Sequence, residues 1–275
     1  MKSVDWFITK KCLSHSCPFC FAPYDAFPND ADYNQALSIC KQLETKQVEY
    51  VTLCGGEPLV YNWIDDIVKC LHRSNIKIVF NTGLVSNKDI FDIIDFLHIL
   101  SLPFEACDER IQNSLRGGEV HRKVISILEK LKQKDCMPKI KIGTVINRIN
   151  LVDIENVYKY LVKYQDIISI WRLYMFSPYG IGKENIDKLL ISEEEYGYVV
   201  DKIQKMANAD GAKFTISTRS RADNIGYCFI MDSQGSFYKY NENYDFLNVS
   251  IYDDFDIIKS KYDENLNAEQ KKWQI

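Results

Sequence analysis

Val4-Asp-Trp-Phe-Ile-Thr9, a short apolar and β-branched run, passes through Lys10 and Lys11 into Cys12-Leu-Ser-His-Ser-Cys17-Pro-Phe-Cys20. A strand that empties directly into a loop carrying three thiols predicts a β/α unit with its chemistry at the carboxyl end of the strand. Comparable runs follow near Glu49–Cys54, Ile76–Asn81, Leu97–Leu102, Lys139–Ile146 and Ile168–Phe176. Helical spacing fills the intervals at Asp32–Lys46, Trp63–Arg73, Ser86–Asp95, Val120–Lys134 and Asp153–Tyr164. Six units in succession predict an α/β protein built as a partial (β/α)6, TIM-like barrel; eight would close one.

Beyond Ser177-Pro178-Tyr179-Gly180 the rhythm changes. Ser192-Glu193-Glu194-Glu195 announces a helix through a capping box. Short strands at Lys213–Ser217, Tyr227–Asp232 and Phe237–Tyr240, with a Ser233-Gln234-Gly235 turn, then suggest a small antiparallel cap. The expected division is a barrel core over residues 1–180 and a C-terminal α+β cap over 181–275, in one globule because no linker separates them. The tail after Tyr252 is charged and reads as helical or frayed.

The 275 residues are 46% hydrophobic and 26% charged, which excludes a disordered or fibrous chain. A net charge of −4 disfavours stable nucleic-acid binding, but leaves room for a local basic pocket that grips a phosphate. No apolar run reaches the roughly 18 residues that span a bilayer, and Met1–Lys11 lacks a secretory apolar segment, so a soluble, cytoplasmic protein without membrane association is expected. The nine cysteines then point to metal ligation or packing rather than disulfides, with Cys40, Cys70, Cys107 and Cys136 spaced as packing residues.

Cys12, Cys17 and Cys20 can supply three corners of an iron–sulfur cube whose fourth iron stays open to a small molecule. The alternatives are a zinc site completed by a fourth ligand such as His15, in a regulatory protein without turnover, and a chance cluster of buried thiols. Cys54-Gly55-Gly56-Glu57-Pro58 closes the second strand. Its glycines let backbone approach a ligand and leave carbonyls to accept from an ammonium group, beside a carboxylate; the plain alternative is a strand-to-helix turn.

With these two motifs one β/α unit apart, the chain resembles the radical S-adenosylmethionine (radical SAM) superfamily, whose usual signature is C-x3-C-x2-C with an aromatic before the last cysteine. Here the first gap is four residues and Phe19 holds the aromatic position. The resemblance implies a [4Fe-4S] cluster on Cys12, Cys17 and Cys20, with S-adenosylmethionine held by Gly55, Gly56, Glu57 and Pro58. It further places Asn81 and Thr82 near the ribose, Ser101 in the cofactor site at the end of the fourth strand, Arg116 near the methionine carboxylate, and Val145 and Ile146 on the adenine. It implies reductive cleavage of the sulfonium to a 5′-deoxyadenosyl radical that takes hydrogen from a substrate, fed by an external donor such as flavodoxin or ferredoxin.

Within that superfamily the chain is most similar to viperin-like enzymes, which dehydrate a nucleoside triphosphate. The matching stretches are Lys139–Asn150, Ile170–Phe176 and Tyr227–Asp232. The resemblance implies that Lys141, Arg172 and Tyr227 contact the substrate, with the Arg219/Arg221 pair lying either near it or on the surface. Two positions depart from the pattern: Ile170 where a basic residue is usual, and Gly143 where an asparagine is usual. Another small metabolite, or a peptide handled without auxiliary clusters, is the alternative substrate. A monomer or weak dimer is expected.

Overall fold

The computed structural model describes residues 2–12, 17–22, 26–224, 229–239 and 245–261. The chain begins with β1 (Ser3–Thr9), α1 (Tyr33–Thr45), β2 (Tyr50–Gly55), α2 (Ile64–Arg73), β3 (Lys77–Asn81) and β4 (Ile99–Pro103). It continues with α3 (Glu109–Arg116), α4 (Val120–Leu131), β5 (Lys139–Ile146), α5 (Ile154–Leu161) and β6 (Ile168–Met175). A short α6 (Ile186–Leu189) and the long α7 (Glu193–Asp210) lead to β7 (Thr215–Arg219). β8 (Phe229–Met231), β9 (Ser236–Tyr238), β10 (Phe246–Ser250) and α8 (Phe255–Ser260) follow. His15 and Tyr227 lie outside the described residues.

The described strands form one sheet in the order β10-β9-β8-β1-β2-β3-β4-β5-β6-β7. β1 to β7 pair parallel, each with its successor, as six β/α units in series require. The partial barrel expected from the sequence is therefore present. Antiparallel pairing is confined to β8–β9 and β9–β10. β7, expected over Lys213–Ser217 in an antiparallel cap, instead runs parallel beside β6. The physical reason is α7: its 18 residues form a crossover long enough to return the chain to the same end of the sheet. The Ser192 capping box that starts α7 is as read, with Ser192 Oγ accepting from Glu195 N and Glu195 accepting from Ser192 N.

Two further differences bear on the site. Ser86–Asp95 is not one helix but two 3-10 turns, Ile90–Asp92 and Ile94–Phe96, because Ser86 Oγ is tied to the Leu59 carbonyl and the Asp89 carboxylate caps Phe91 N. A helix not expected from the sequence, α3, is capped by Asp108, which accepts from Arg110 N and Ile111 N, and it ends on Arg116. Among the described residues no helix is long and apolar enough to cross a membrane.

Alternation along the strands decides what faces inward. Trp6, Ile8, Leu53, Phe80, Leu100, Ile142, Trp171 and Leu173 are buried in the core shared with the helices. Their neighbours Asp5, Phe7, Thr52, Cys54, Val79, Asn81, Ser101, Lys141, Gly143, Val145, Arg172 and Tyr174 line a cavity inside the barrel. Successive side chains of a strand point to opposite faces, so the phase of each apolar run places its polar residues in the cavity.

Candidate active site

The cavity measures about 340 Å³, the size of a small-ligand pocket, and Cys12 at the start of the cysteine loop lines it. The root of that loop is pinned by Asp30, whose carboxylate accepts from Thr9 Oγ1 and Lys10 N, each at 2.7 Å, and from Tyr61 Oη. Cys17 packs beside Phe19, Leu115, Phe176 and Leu189. Cys20 and Cys54 pack beside Phe7, Ala22, Phe27 and Tyr179. Cys12, Cys17 and Cys20 all line the cavity, and none of them forms a disulfide. Burial pushes the Cys17 thiol up, Arg116 opposes that, and Cys20, Cys12 and Glu105 add to the rise, so the three thiols share one electrostatic neighbourhood. Among the described residues no three His, Cys, Asp or Glu side chains are drawn together tightly enough to hold a single ion.

Gly55 and Gly56 line the cavity, but their lack of a side chain serves a different contact from the one expected. A Cβ on Gly55 would fall 2.2 Å from the Thr9 carbonyl oxygen, and one on Gly56 would fall 2.0 Å from that of Lys11. Gly56 N donates to Thr9 O at 2.7 Å and Glu57 N donates to Lys11 O at 2.8 Å. The glycines therefore weld the end of β2 to the stem of the cysteine loop, and Gly55, at φ +127°, holds a conformation that side-chain-bearing residues rarely adopt.

Glu57, expected beside the ligand, points into the turn after β3. It is wholly buried and does not line the cavity. Its carboxylate accepts from Thr82 Oγ1, Gly83 N, Val85 N and Leu59 N, holding the turn after β3. Burial pushes this carboxyl above its ordinary value despite those donors. Pro58 and Ile146 also miss the cavity: Pro58 is buried in the turn behind Gly56, and Ile146 lies on the outward phase of β5 in the core. Thr82 reaches the cavity but spends its hydroxyl proton on Glu57. Asn81, Ser101 and Val145 do face the interior.

Arg116 is a joint and not a surface charge. Its Nε and Nη2 donate to Glu105 Oε1 at 2.9 and 2.6 Å, its Nη1 is turned to Cys17 Sγ at 4.0 Å, and its guanidinium lies 4.8 Å from the centre of the Phe19 ring. Burial alone would lower its pKa; Glu105 and the Cys17 thiol outweigh that and raise it.

Lys141, Arg172 and Arg219 line the cavity wall formed by β5, β6 and β7. Arg172 Nε donates to Ser217 Oγ at 3.1 Å. Arg219, taken together with Arg221 in the sequence, parts from it: Arg219 is buried in the cavity wall, while Arg221 donates to the carbonyls of Phe176 and Ile191 behind it. Tyr174, Asp5 and Thr52 also line the cavity and were not singled out; the two-residue alternation of their strands is the signal that could have found them.

Residues 6–161 match the family model described as the Radical SAM superfamily. The chain belongs to the radical SAM superfamily. Its cofactors are accordingly a [4Fe-4S] cluster and S-adenosylmethionine, and the cavity fits them on its own chemistry. Three thiols line it, and two further lining residues, Asn81 and Thr52, each carry a buried oxygen without a hydrogen-bond partner, as a polar ligand site would.

Among similar radical SAM proteins is an S-adenosylmethionine-dependent nucleotide dehydratase of Lacinutrix mariniflava, 23% identical over 255 residues, covering 86% of this chain and 50% of that protein. The chain thus spans half the length of that relative. A protein of the same description from Flammeovirga pacifica is 24% identical over 284 residues, covering 95% of this chain and 92% of its own. In fold, Streptococcus suis SuiB bound to S-adenosylmethionine aligns with a TM-score of 0.72 at 14% identity, covering 99% of this chain and 67% of SuiB.

Proposed function

We propose that this chain is a radical SAM enzyme that acts on a nucleotide, a nucleoside triphosphate dehydratase of viperin type. The observation that carries the reading is the placement of Lys141, Arg172 and Arg219 on adjoining strands of the cavity onto which Cys12, Cys17 and Cys20 open. Three cations on one cavity wall can make charge-assisted hydrogen bonds to the oxygens of a polyphosphate. The resemblance to two nucleotide dehydratases supports the same substrate class.

In this reading Cys12, Cys17 and Cys20 hold the cluster. Gly55, Gly56, Asn81, Ser101 and Val145 border the S-adenosylmethionine site, and Lys141, Arg172 and Arg219 hold the phosphates on the β5–β7 wall. When bound, the cluster and S-adenosylmethionine together supply a one-electron cleavage that yields a carbon radical able to remove hydrogen from a substrate. The residues of this chain bind and orient. Glu105 fixes Arg116 against Cys17, Glu57 fixes the turn that carries Gly83 and Val85 to the cavity, and Phe7, Phe19 and Phe21 add apolar lining to the cavity. An external one-electron donor such as a flavodoxin or ferredoxin would dock near the cysteines.

The test is 5′-deoxyadenosine formation by anaerobically reconstituted, reduced enzyme offered each of the four nucleoside triphosphates. A sharp rise with one of them is expected, and no response to any removes the nucleotide. Cys17→Ala should lose both iron and S-adenosylmethionine cleavage.

A further inference from the structure

Gly143, Arg172 and Ser217 lie abreast on β5, β6 and β7, and Val145, Tyr174 and Arg219 form the next inward row. A Cβ placed on Gly143 would lie 3.5 Å from Tyr174 Cε2, so the ring of Tyr174 leans back over the glycine. The phenol lines the cavity with Lys141 from β5, Arg172 from β6 and Arg219 from β7, whose charges act on it. Asp5 of β1 lines the same cavity.

We propose that Tyr174 is an anion-binding residue of this cavity, its hydroxyl donating a hydrogen bond to the phosphate group that Lys141, Arg172 and Arg219 hold. The inference rests on the anionic-substrate reading above and deepens it. Burial raises the phenol's pKa, but Lys141, Arg172 and Arg219 outweigh burial and bring it down to about 8. Below that pH the phenol is neutral and can donate. Above it a phenolate has no proton to give and repels the phosphate. The contribution of Tyr174 to binding is therefore full at pH 7 and lost as pH rises past 8.

The experiment is calorimetric titration of inorganic tripolyphosphate into anaerobically reconstituted enzyme carrying S-adenosylmethionine, comparing wild type with Tyr174→Phe at pH 7 and pH 9. The variant keeps the ring over Gly143, so the wall stays packed, and the ligand's own ionisation cancels in the comparison. Wild type should bind about tenfold more tightly than the variant at pH 7 and no more tightly at pH 9, with S-adenosylmethionine affinity equal in the two proteins. Equal binding at pH 7, an advantage that persists unchanged at pH 9, or no tripolyphosphate binding at all overturns the assignment. Tripolyphosphate carries neither base nor sugar. A wild-type advantage with it, together with no cleavage response to any nucleoside triphosphate, would therefore discard the nucleotide and leave Tyr174 in its role.

Discussion

Glu105 accepts Arg116 on one carboxylate oxygen and Val145 N on the other, at 2.6 Å for the shortest contact of each, and so joins the end of α3 to the inward face of β5. Glu105 is fully buried, and burial pushes its carboxyl up while Arg116 and Val145 N hold it down. Glu105→Gln leaves a largely buried guanidinium without its counter-charge and should cost about 3 kcal/mol of stability. Urea denaturation of the anaerobic protein measures it, and an unchanged midpoint would show that the joint carries no energy.

Gly56→Ala should displace the stem of the cysteine loop, because its new Cβ would stand 2.0 Å from the Lys11 carbonyl oxygen, a backbone atom that cannot swing aside. Iron and sulfide per chain after reconstitution should fall well below wild type although all three cysteines remain. Full loading of the variant would mean that the two loops separate without consequence.

Glu57→Ala removes the acceptor for Thr82 Oγ1 and the amides of Leu59, Gly83 and Val85, and should destabilise the protein by at least about 2 kcal/mol. Glu57→Gln keeps one carbonyl oxygen in place and should bind S-adenosylmethionine nearly as wild type does. A direct role of the charge at the ligand would instead abolish binding in both variants, which calorimetry with S-adenosylmethionine separates.

Glu195 has its carboxyl drawn down to about 2, first by hydrogen bonds from Arg148 and then by Ser192 N. A carboxylate with a depressed folded-state pKa stabilises above its unfolded value, near 4.3, and loses that contribution as pH falls toward 2. Glu195→Gln should therefore flatten the acid limb of the stability curve between about pH 4.5 and 2. Thermal melts across that range test it, and parallel curves for the two proteins would exclude the linkage.

Much of the site could be read from the linear chain because it depends on local rules. Cys12, Cys17 and Cys20 follow β1 directly, and Lys141 and Arg172 share the inward phase of their strands with Val145 and Tyr174. Ile146, one residue past Val145, was placed with the ligand although the same alternation turns it into the core. Glu57 looked like a ligand because it adjoins two glycines, but adjacency along a turn does not fix direction, and the unpaired amides after β3 captured it. Arg219 and Arg221 could not be told apart in the sequence, near the substrate or on the surface, because nothing local marks β7 as the parallel neighbour of β6.

By itself the sequence determined the order of β/α units, the face each strand turns inward and the position of the thiols at a strand end, since two-residue alternation and loop placement are properties of a short segment. Only the tertiary structure decided which segments meet. The α7 crossover sets β7 beside β6 and so brings Arg219 to Tyr174. The fold likewise carries Arg116 to Cys17 across 99 residues of chain. Such contacts are fixed by packing of whole elements, and no local pattern encodes them.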